Sequence, residues 1–468
     1  GLVSEIDRVS STTKFNGQSL FERGELPDWV DEDRQFNVDQ LYGNWLAESE
    51  RMIESAYGLK ADGNESLSIV FDDDPNSKFA ATVSYSGGIG ANVGDDDELS
   101  RATKQTLTLY TKAFPTGSAP DGGGSPNYSD RTIAHEMVHA VMGRTMDMDS
   151  LEEWFKEGAA ELIHGADDNV LNQLIAEDDT TTHFDATDRA AYAADSTFFT
   201  AWDSTGKHYS QGYLAVRFLH EDIVANGGEG IKDVMGFLSN EDNLAGGLTT
   251  LNDALAQLNT DGLTSYATDA AFKAAYSTPV TGADALIQSL NFSNLDTGAI
   301  GGLDVDGGEV KTAESVVDNS NVYLSSKPLE GYKTVEVKSS GVVDPLLARN
   351  YSLKVGSESD NDLELSFFRV DSDVLGLNKL DIELDASAAI SLVDRALGYI
   401  SDQRANLGAI SNRLASTISV NENNSQMASH SRSRITDADF AHETSQLSKL
   451  QILQQSSSAM ISQANGRT

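Results

Sequence analysis

The sequence is organised around two short stretches, Arg131-Thr132-Ile133-Ala134-His135-Glu136-Met137-Val138-His139 and Trp154-Phe155-Lys156-Glu157-Gly158-Ala159-Ala160-Glu161-Leu162. If the first stretch is helical, His135 and His139 lie one turn apart on the same face, with Glu136 beside them. Catalytic zinc usually takes three protein ligands and leaves a fourth position to water, so the two histidines need one more donor. Glu157, in a second predicted helix, is the candidate. The sequence therefore predicts a zinc site with Glu136 as its base; the alternative is a surface helix whose two histidines bind no metal.

The composition restricts the classes of partner. The 468 residues include 33 Lys and Arg against 73 Asp and Glu, a formal net charge of −40. So acidic a chain repels the phosphates of nucleic acid and the surface of anionic membranes, and we expect neither as a partner. The chain has no cysteine, so a metal site has to use histidine and carboxylate ligands. We also expect no transmembrane segment and no conventional signal peptide, since no suitable apolar run is present.

The chain is longer than one hydrophobic core normally supports, so we expect two to four domains. Strands before the zinc motif and helices after it indicate an α+β arrangement. The candidate strands before the motif are 67–71, 80–85 and 107–114. A smaller β region is expected within 316–370. Peptide substrates commonly bind as an extra strand on an exposed sheet edge, for which 107–111 and 86–90 are candidates; the alternative is that the two segments are ordinary sheet and turn.

The last hundred residues have a different pattern. Apolar residues recur at spacings of three and four from Val393 to Ile418, which predicts a long helix with a heptad-like seam. A second helix, about 433–464, is expected either to fold back on the first helix or to extend it. Helices of this kind need neighbours, so this part of the chain predicts assembly.

Segments at both ends carry a family resemblance. They are Glu5 to Arg8, Phe15 to Gly17, Ile400 to Leu414, Ser433 to Thr444 and Gln451 to Gln455. They resemble flagellin, the filament protein of bacterial flagella, which implies other flagellin subunits as partners, export by the flagellar apparatus and an extracellular place in the filament. The long helix that precedes Glu5 in flagellins and the apolar tail beyond Asn465 are absent from this sequence. We therefore expect a trimmed core that stays monomeric or associates weakly.

The segment between these ends resembles the gluzincin metallopeptidases, especially their bacterial collagenase branch. The stretch from Glu157 to Glu161 matches the third-ligand helix of that group, and the stretch from Tyr209 to Leu219 matches a later Tyr-x-x-Gly helix. A flagellin with such an insert is similar to the flagellinolysin family of proteolytic flagellins. Metzincins, the competing class of zinc peptidases, require Gly and His where this chain has Met142 and Thr145.

The zinc motif and the resemblance assign roles to individual residues. Glu136 would take a proton from the attacking water and pass it to the leaving nitrogen. By resemblance, Tyr209 would donate a hydrogen bond to the oxyanion; the alternative is a tyrosine packed at a helix start. Glu161 is predicted to orient a ligand histidine through its free ring N–H, with a solvated helix charge as the alternative. His164 is expected at the surface, because the ligand set is already complete. A Ca²⁺ loop at 304–309 lacks the full calcium-loop spacing, and a plain turn is its alternative.

Together these inferences predict an α+β zincin-type metallopeptidase domain inserted into a mainly α-helical flagellin core domain with a small β region. The expected segments are a flagellin N-terminal core segment at 1–24, the zinc metallopeptidase domain at 25–298, a β-rich connecting region at 299–380 and the flagellin C-terminal helical domain at 381–468. The expected function is zinc-dependent hydrolysis of extracellular proteins at the flagellum surface. One alternative is a structural flagellin whose inactive insert serves as surface or adhesive decoration. The other is a free secreted protease whose tail only resembles flagellin.

Overall fold

The computed structural model describes residues 1–22, 26, 28–86, 101–114, 121–124, 127–177, 185–302, 307–319, 328–355, 362–372, 374, 375, 377 and 386–466. The core of the candidate calcium loop, 304–306, lies outside the described residues, as do residues 87–90 of the second candidate sheet edge. None of the described helices is long and apolar enough to cross a membrane.

The described elements run in the following order. The helices are α1 (Leu2–Thr12), α2 (Glu32–Gln40), α3 (Leu46–Tyr57), α4 (Ser129–Thr145), α5 (Glu153–His164), α6 (Asp167–Glu177), α7 (Ala186–Ala194), α8 (Gly206–Ala225), α9 (Ile231–Leu238), α10 (Glu241–Ala245), α11 (Leu251–Thr260), α12 (Asp269–Tyr276), α13 (Ala283–Ser289) and α14 (Ala386–Asn465). The strands are β1 (Lys14–Phe15), β2 (Gln18–Ser19), β3 (Leu67–Asp72), β4 (Ala81–Ser86), β5 (Thr103–Tyr110), β6 (Gly123–Gly124), β7 (Asn127–Tyr128), β8 (Val335–Val337), β9 (Leu347–Lys354) and β10 (Asp362–Phe368). Helices with one principal sheet confirm the predicted α+β class.

The chain divides into two compact units, residues 1–347 with 369–396, and residues 348–368 with 397–468. The first unit contains the candidate metal site. The domain boundaries drawn from the sequence stay a prediction.

A four-stranded sheet supports the candidate site. Its order is β4-β5-β3-β8, with β5 and β8 parallel to β3 and β4 antiparallel to β5. The prediction that residues 107–111 form the edge is wrong, because β5 lies between β4 and β3. Of the strands that the structure describes, the edge strand nearest the zinc motif is β4. Alternating apolar residues predict that one face of a strand is buried, but they do not show whether the strand has one neighbour or two.

Helix α4 packs against β4 of this sheet, α5 packs on α4, and α8 packs on α5. Helix α4 is nearly all buried, with Ile133, Met137 and Val141 in the core, and α5 lies against it. Helices α5 and α8 approach at two glycines: a Cβ atom added to Gly158 would lie 2.2 Å from the carbonyl oxygen of Gly212. Because glycine has no Cβ, the two backbones can pack this closely.

The C-terminal helix settles one of the sequence alternatives. Helix α14 is continuous over 80 residues, so the predicted second helix extends the first, and the fold-back alternative is wrong. Between Val420 and Asn465 the sequence contains neither Gly nor Pro, so nothing in this stretch strongly favours a break.

Candidate metal centre

The candidate site lies where α4 and α5 run side by side in opposite directions. His139 of α4 is opposite Glu157 of α5, and His135 is opposite both Glu157 and Glu161. One turn further along α4, Arg131 reaches the C-terminal end of α5. The i, i+4 spacing in both sequences therefore produces a row of facing side chains, because residues four apart lie on one side of a helix.

Three predicted ligands converge on one point. The Nε2 atom of His135 lies 3.1 Å from Oε2 of Glu157, and Nε2 of His139 lies 3.2 Å from both that oxygen and Nε2 of His135. Zinc held tetrahedrally with bonds of roughly 2.0–2.1 Å requires ligand atoms about 3.3–3.4 Å apart. The separations in this structure, and the two-imidazole, one-carboxylate donor set, therefore fit zinc.

The carboxylate of Glu157 is suited to bind a cation. Burial alone would raise its pKa, but the two neighbouring imidazoles more than reverse this effect, so the pKa lies well below its ordinary value. Burial would likewise lower the pKa of His135, yet Glu157 and Glu161 raise it above its ordinary value. The site therefore presents an ionised carboxylate and attracts positive charge.

Glu136 lies on the side of α4 that faces the edge strand β4. Its side chain is 8% exposed, and its carboxylate accepts a hydrogen bond from the backbone amide of Val83. Burial raises the pKa of Glu136, although His135 and His139 oppose the increase. A carboxylate with a raised pKa can accept and release a proton nearer neutral pH than an exposed glutamate can.

Glu161 lies next to His135, one of the predicted ligands. Its Oε1 atom is 3.2 Å from Nδ1 of His135, the ring nitrogen that faces away from the other ligands.

His164, expected at the surface, is instead 5% exposed, and burial lowers its pKa to about 4. The surface prediction is wrong because residues 297–300 cover this end of α5: Leu162 O accepts from Ile300 N.

Tyr209 completes the group of predicted residues. It lies in the first turns of α8, and its ring centroid is 5.9 Å from that of His135 and 5.3 Å from that of Trp202. Burial and the nearby carboxylates, Glu157 foremost, raise its pKa, so the hydroxyl stays protonated and able to donate a hydrogen bond. The structure thus gathers all six predicted site residues around one cleft.

The cleft also contains residues that the sequence analysis missed. One wall is the edge strand β4 with Lys78 and Phe79 before it, and another includes Arg131 and Asn169. Arg131 could have been recognised from its position four residues before His135. The strand at 80–85 was predicted, but no local signal places it beside Glu136, because that position depends on how the sheet packs against α4.

Two families match separate parts of the chain. The family described as Collagenase matches residues 125–239, and the bacterial flagellin C-terminal helical region matches residues 390–467. B-type flagellin of Pseudomonas aeruginosa is 52% identical over 80 residues, covering 17% of this chain and 16% of the relative. Flagellin of Bacillus subtilis is 28% identical over 173 residues, covering 32% of this chain and 55% of the relative. The chain thus spans about a sixth and about half of these two relatives. No solved structure matches.

Proposed function

We propose that this chain, which joins a flagellin C-terminal helical region to a collagenase-family peptidase domain, is a filament subunit whose inserted domain hydrolyses peptide bonds of extracellular proteins. The observation that carries the proposal is the convergence of His135, His139 and Glu157 beside a buried Glu136. In this assignment the enzyme is a gluzincin, with a His-Glu-x-x-His motif and a third glutamate ligand.

The chemistry follows from the arrangement of the side chains. His135, His139 and Glu157 would hold a zinc ion, which when bound supplies Lewis acidity toward the scissile carbonyl and acidifies water. Glu136 accepts the proton of the attacking water and delivers it to the leaving nitrogen. Its raised pKa supports both halves of this transfer, because the carboxylate has to gain and then lose a proton in each cycle.

Two further side chains support turnover. Tyr209 remains a hydrogen-bond donor, which suits stabilisation of the negative oxygen that develops when water adds to the carbonyl. Glu161 accepts from Nδ1 of His135 and so keeps Nε2 directed at the metal position.

The edge strand offers a way to bind peptide substrates. Among the described strands, β4 is the terminal strand of its sheet on the side of the cleft, so a peptide can add to it through backbone hydrogen bonds. Such binding uses the substrate's main chain and therefore accepts many sequences. This supports an endopeptidase that cleaves extended or partly unfolded segments.

The flagellin part suggests where this activity is displayed. Large apolar side chains of α14, including Phe440, Leu450 and Ile452, are exposed in the single chain. Exposed apolar helix surfaces are suited to burial between subunits. Other flagellin subunits are therefore the proposed partners, with the peptidase domain carried on the extracellular filament.

The test is cleavage of a mixed peptide library by the purified chain, with zinc quantified in the same samples. Wild type should bind about one zinc per chain and cleave, and Glu136→Gln should keep the zinc and lose turnover, because the amide cannot accept the proton. Glu229→Gln, an exposed residue paired with Lys232, is the matched control and should cleave like wild type. Zinc without cleavage in wild type would favour the structural alternative, and absence of zinc binding would contradict the assignment of the site.

A further inference from the structure

The row of facing side chains between α4 and α5 continues beyond the proposed ligands to His164. This residue lies one turn after Glu161, and its ring centroid is 6.1 Å from that of His135. Its ring and the carboxylate of Glu161 are both buried, yet both line the cleft. A buried histidine in this position is in reach of the residue that orients the metal ligand.

The tautomer of His164 follows from its neighbours. Its Nδ1 atom is 2.8 Å from the carbonyl oxygen of Gly165, which can only accept a hydrogen bond, so this contact requires the proton on Nδ1. Nε of Arg131 also points at Nδ1, but at 3.4 Å, and this longer contact would need Nδ1 unprotonated, so we assign the tautomer from the shorter one. The Gly165 carbonyl is itself held, because Nη2 of Arg131 donates to it at 2.7 Å. A Cβ atom on Gly165 would lie 2.2 Å from the oxygen of Thr297, so this turn cannot easily shift. Nε2 of His164 is consequently left as a hydrogen-bond acceptor.

This acceptor faces a second acceptor. Nε2 of His164 is 3.9 Å from Oε2 of Glu161, and that oxygen is buried with no hydrogen-bond partner among the described residues. The separation is too long for a direct hydrogen bond, but one water molecule can donate to both atoms across it. The other oxygen of the same carboxylate is the one that accepts from His135.

We propose that His164 is a positioning residue for the metal centre, holding Oε2 of Glu161 through a shared water so that Oε1 stays on Nδ1 of His135. Arg131, which contacts both His164 and the Gly165 carbonyl, is itself held by an ion pair with Asp168 at 2.9 Å. If the carboxylate lost this support it could rotate, and the His135 ring would no longer be fixed toward the metal. This inference rests on the proposed function, since it assumes that zinc binds at His135.

The experiment measures the zinc dissociation constant by chelator competition, and unfolding temperature, for wild type, His164→Leu and His164→Gln. Loss of outer-shell support typically weakens metal binding by about 10- to 100-fold. We expect about tenfold weaker binding in His164→Leu, and near-wild-type binding in His164→Gln, whose amide oxygen can accept from the same water. His220→Leu is the control: His220 accepts a hydrogen bond from Ile231 N, so its loss should lower stability without changing zinc affinity.

The outcomes separate this inference from the proposed function. Equal zinc affinity in wild type and His164→Leu would overturn the positioning role alone, as would an equal loss in His220→Leu. Zinc binding without peptide cleavage by wild type would overturn the proposed function and leave the positioning role standing. A wild type that binds no zinc would overturn both.

Discussion

Substitution of Gly158 by alanine tests whether the approach of α5 to α8 sets the geometry of the site. The added Cβ atom would lie 2.2 Å from Gly212 O, 2.5 Å from Gly212 C and 2.7 Å from a methyl of Val216. Two of these atoms are backbone, so no rotamer change relieves the clash. Reaching even the 3.0 Å below which Cβ contacts are essentially never found requires the helices to separate by about 0.8 Å.

This separation has two measurable effects. Overpacking of a tight core typically costs about 1–3 kcal/mol, and we expect the upper end because backbone has to move. Glu157 adjoins Gly158 on α5 and Tyr209 lies one turn before Gly212 on α8, so both proposed site residues move. A misplacement of about 1 Å can lower a rate by about 100-fold.

The assay is urea unfolding together with peptide cleavage, in a graded set of glycine variants. Gly212→Ala places its Cβ 3.0 Å from Trp154 O and should be less harmful than Gly158→Ala. Gly236→Ala, on α9 with nothing within 4 Å, should be neutral or stabilising by up to about 1 kcal/mol through helix propensity. If Gly158→Ala unfolds at the same urea concentration as Gly236→Ala and cleaves as fast, the argument from the helix approach is refuted.

Further predictions concern the other parts of the site. Tyr209→Phe should lower kcat by about 10²- to 10³-fold with zinc content unchanged, as measured on one peptide substrate; an unchanged kcat would remove it from the mechanism. Chelation of zinc should lower the unfolding temperature of wild type, whereas Glu157→Ala should show a much smaller shift because it binds the metal weakly; equal shifts would argue against Glu157 as a ligand. Burial, with the neighbouring Asp121, raises the pKa of Asp130 from 3.8 to about 8. The folded state therefore holds a proton that the unfolded state releases between these values, so this group's contribution to stability falls as pH rises through that range. The free energy of unfolding of Asp130→Asn, relative to that of wild type, should rise by up to about 1.4 kcal/mol per pH unit in this range. Urea unfolding at pH 5 and pH 8 measures this difference, and a difference that does not change with pH would contradict the raised pKa of Asp130.

Local spacing in the sequence predicted much of the candidate site. The histidines of α4 and the glutamates of α5 follow helical periodicity, so their shared faces could be inferred without knowing the fold. An Asn-Gly pair between apolar residues is likewise a local hairpin signal, and Asn16 and Gly17, at the turn between β1 and β2, both have the positive φ that such turns require.

The incorrect predictions depended on distant contacts. His164 is buried by residues 297–300, and β5 is an inner strand because β3 pairs with its other side. A buried π-helical turn at Leu41–Trp45, between α2 and α3, also had no signal in the apolar pattern, which fits a regular helix equally well. Such features are decided by packing between segments far apart in the chain.

The pairing of β8 with β3 joins two segments that lie far apart in the chain. Leu67 aligns with Val335 and Ile69 with Val337, and Glu50 accepts hydrogen bonds from the amides of Glu330 and Gly331. During synthesis from the N-terminus, all the proposed site residues are made well before β8 and residues 330–331. Until then one side of β3 has no strand beside it. The proposed metal ligands can therefore be present in a chain whose sheet is still incomplete. A zinc ion that binds at this stage would bind to a partly folded protein.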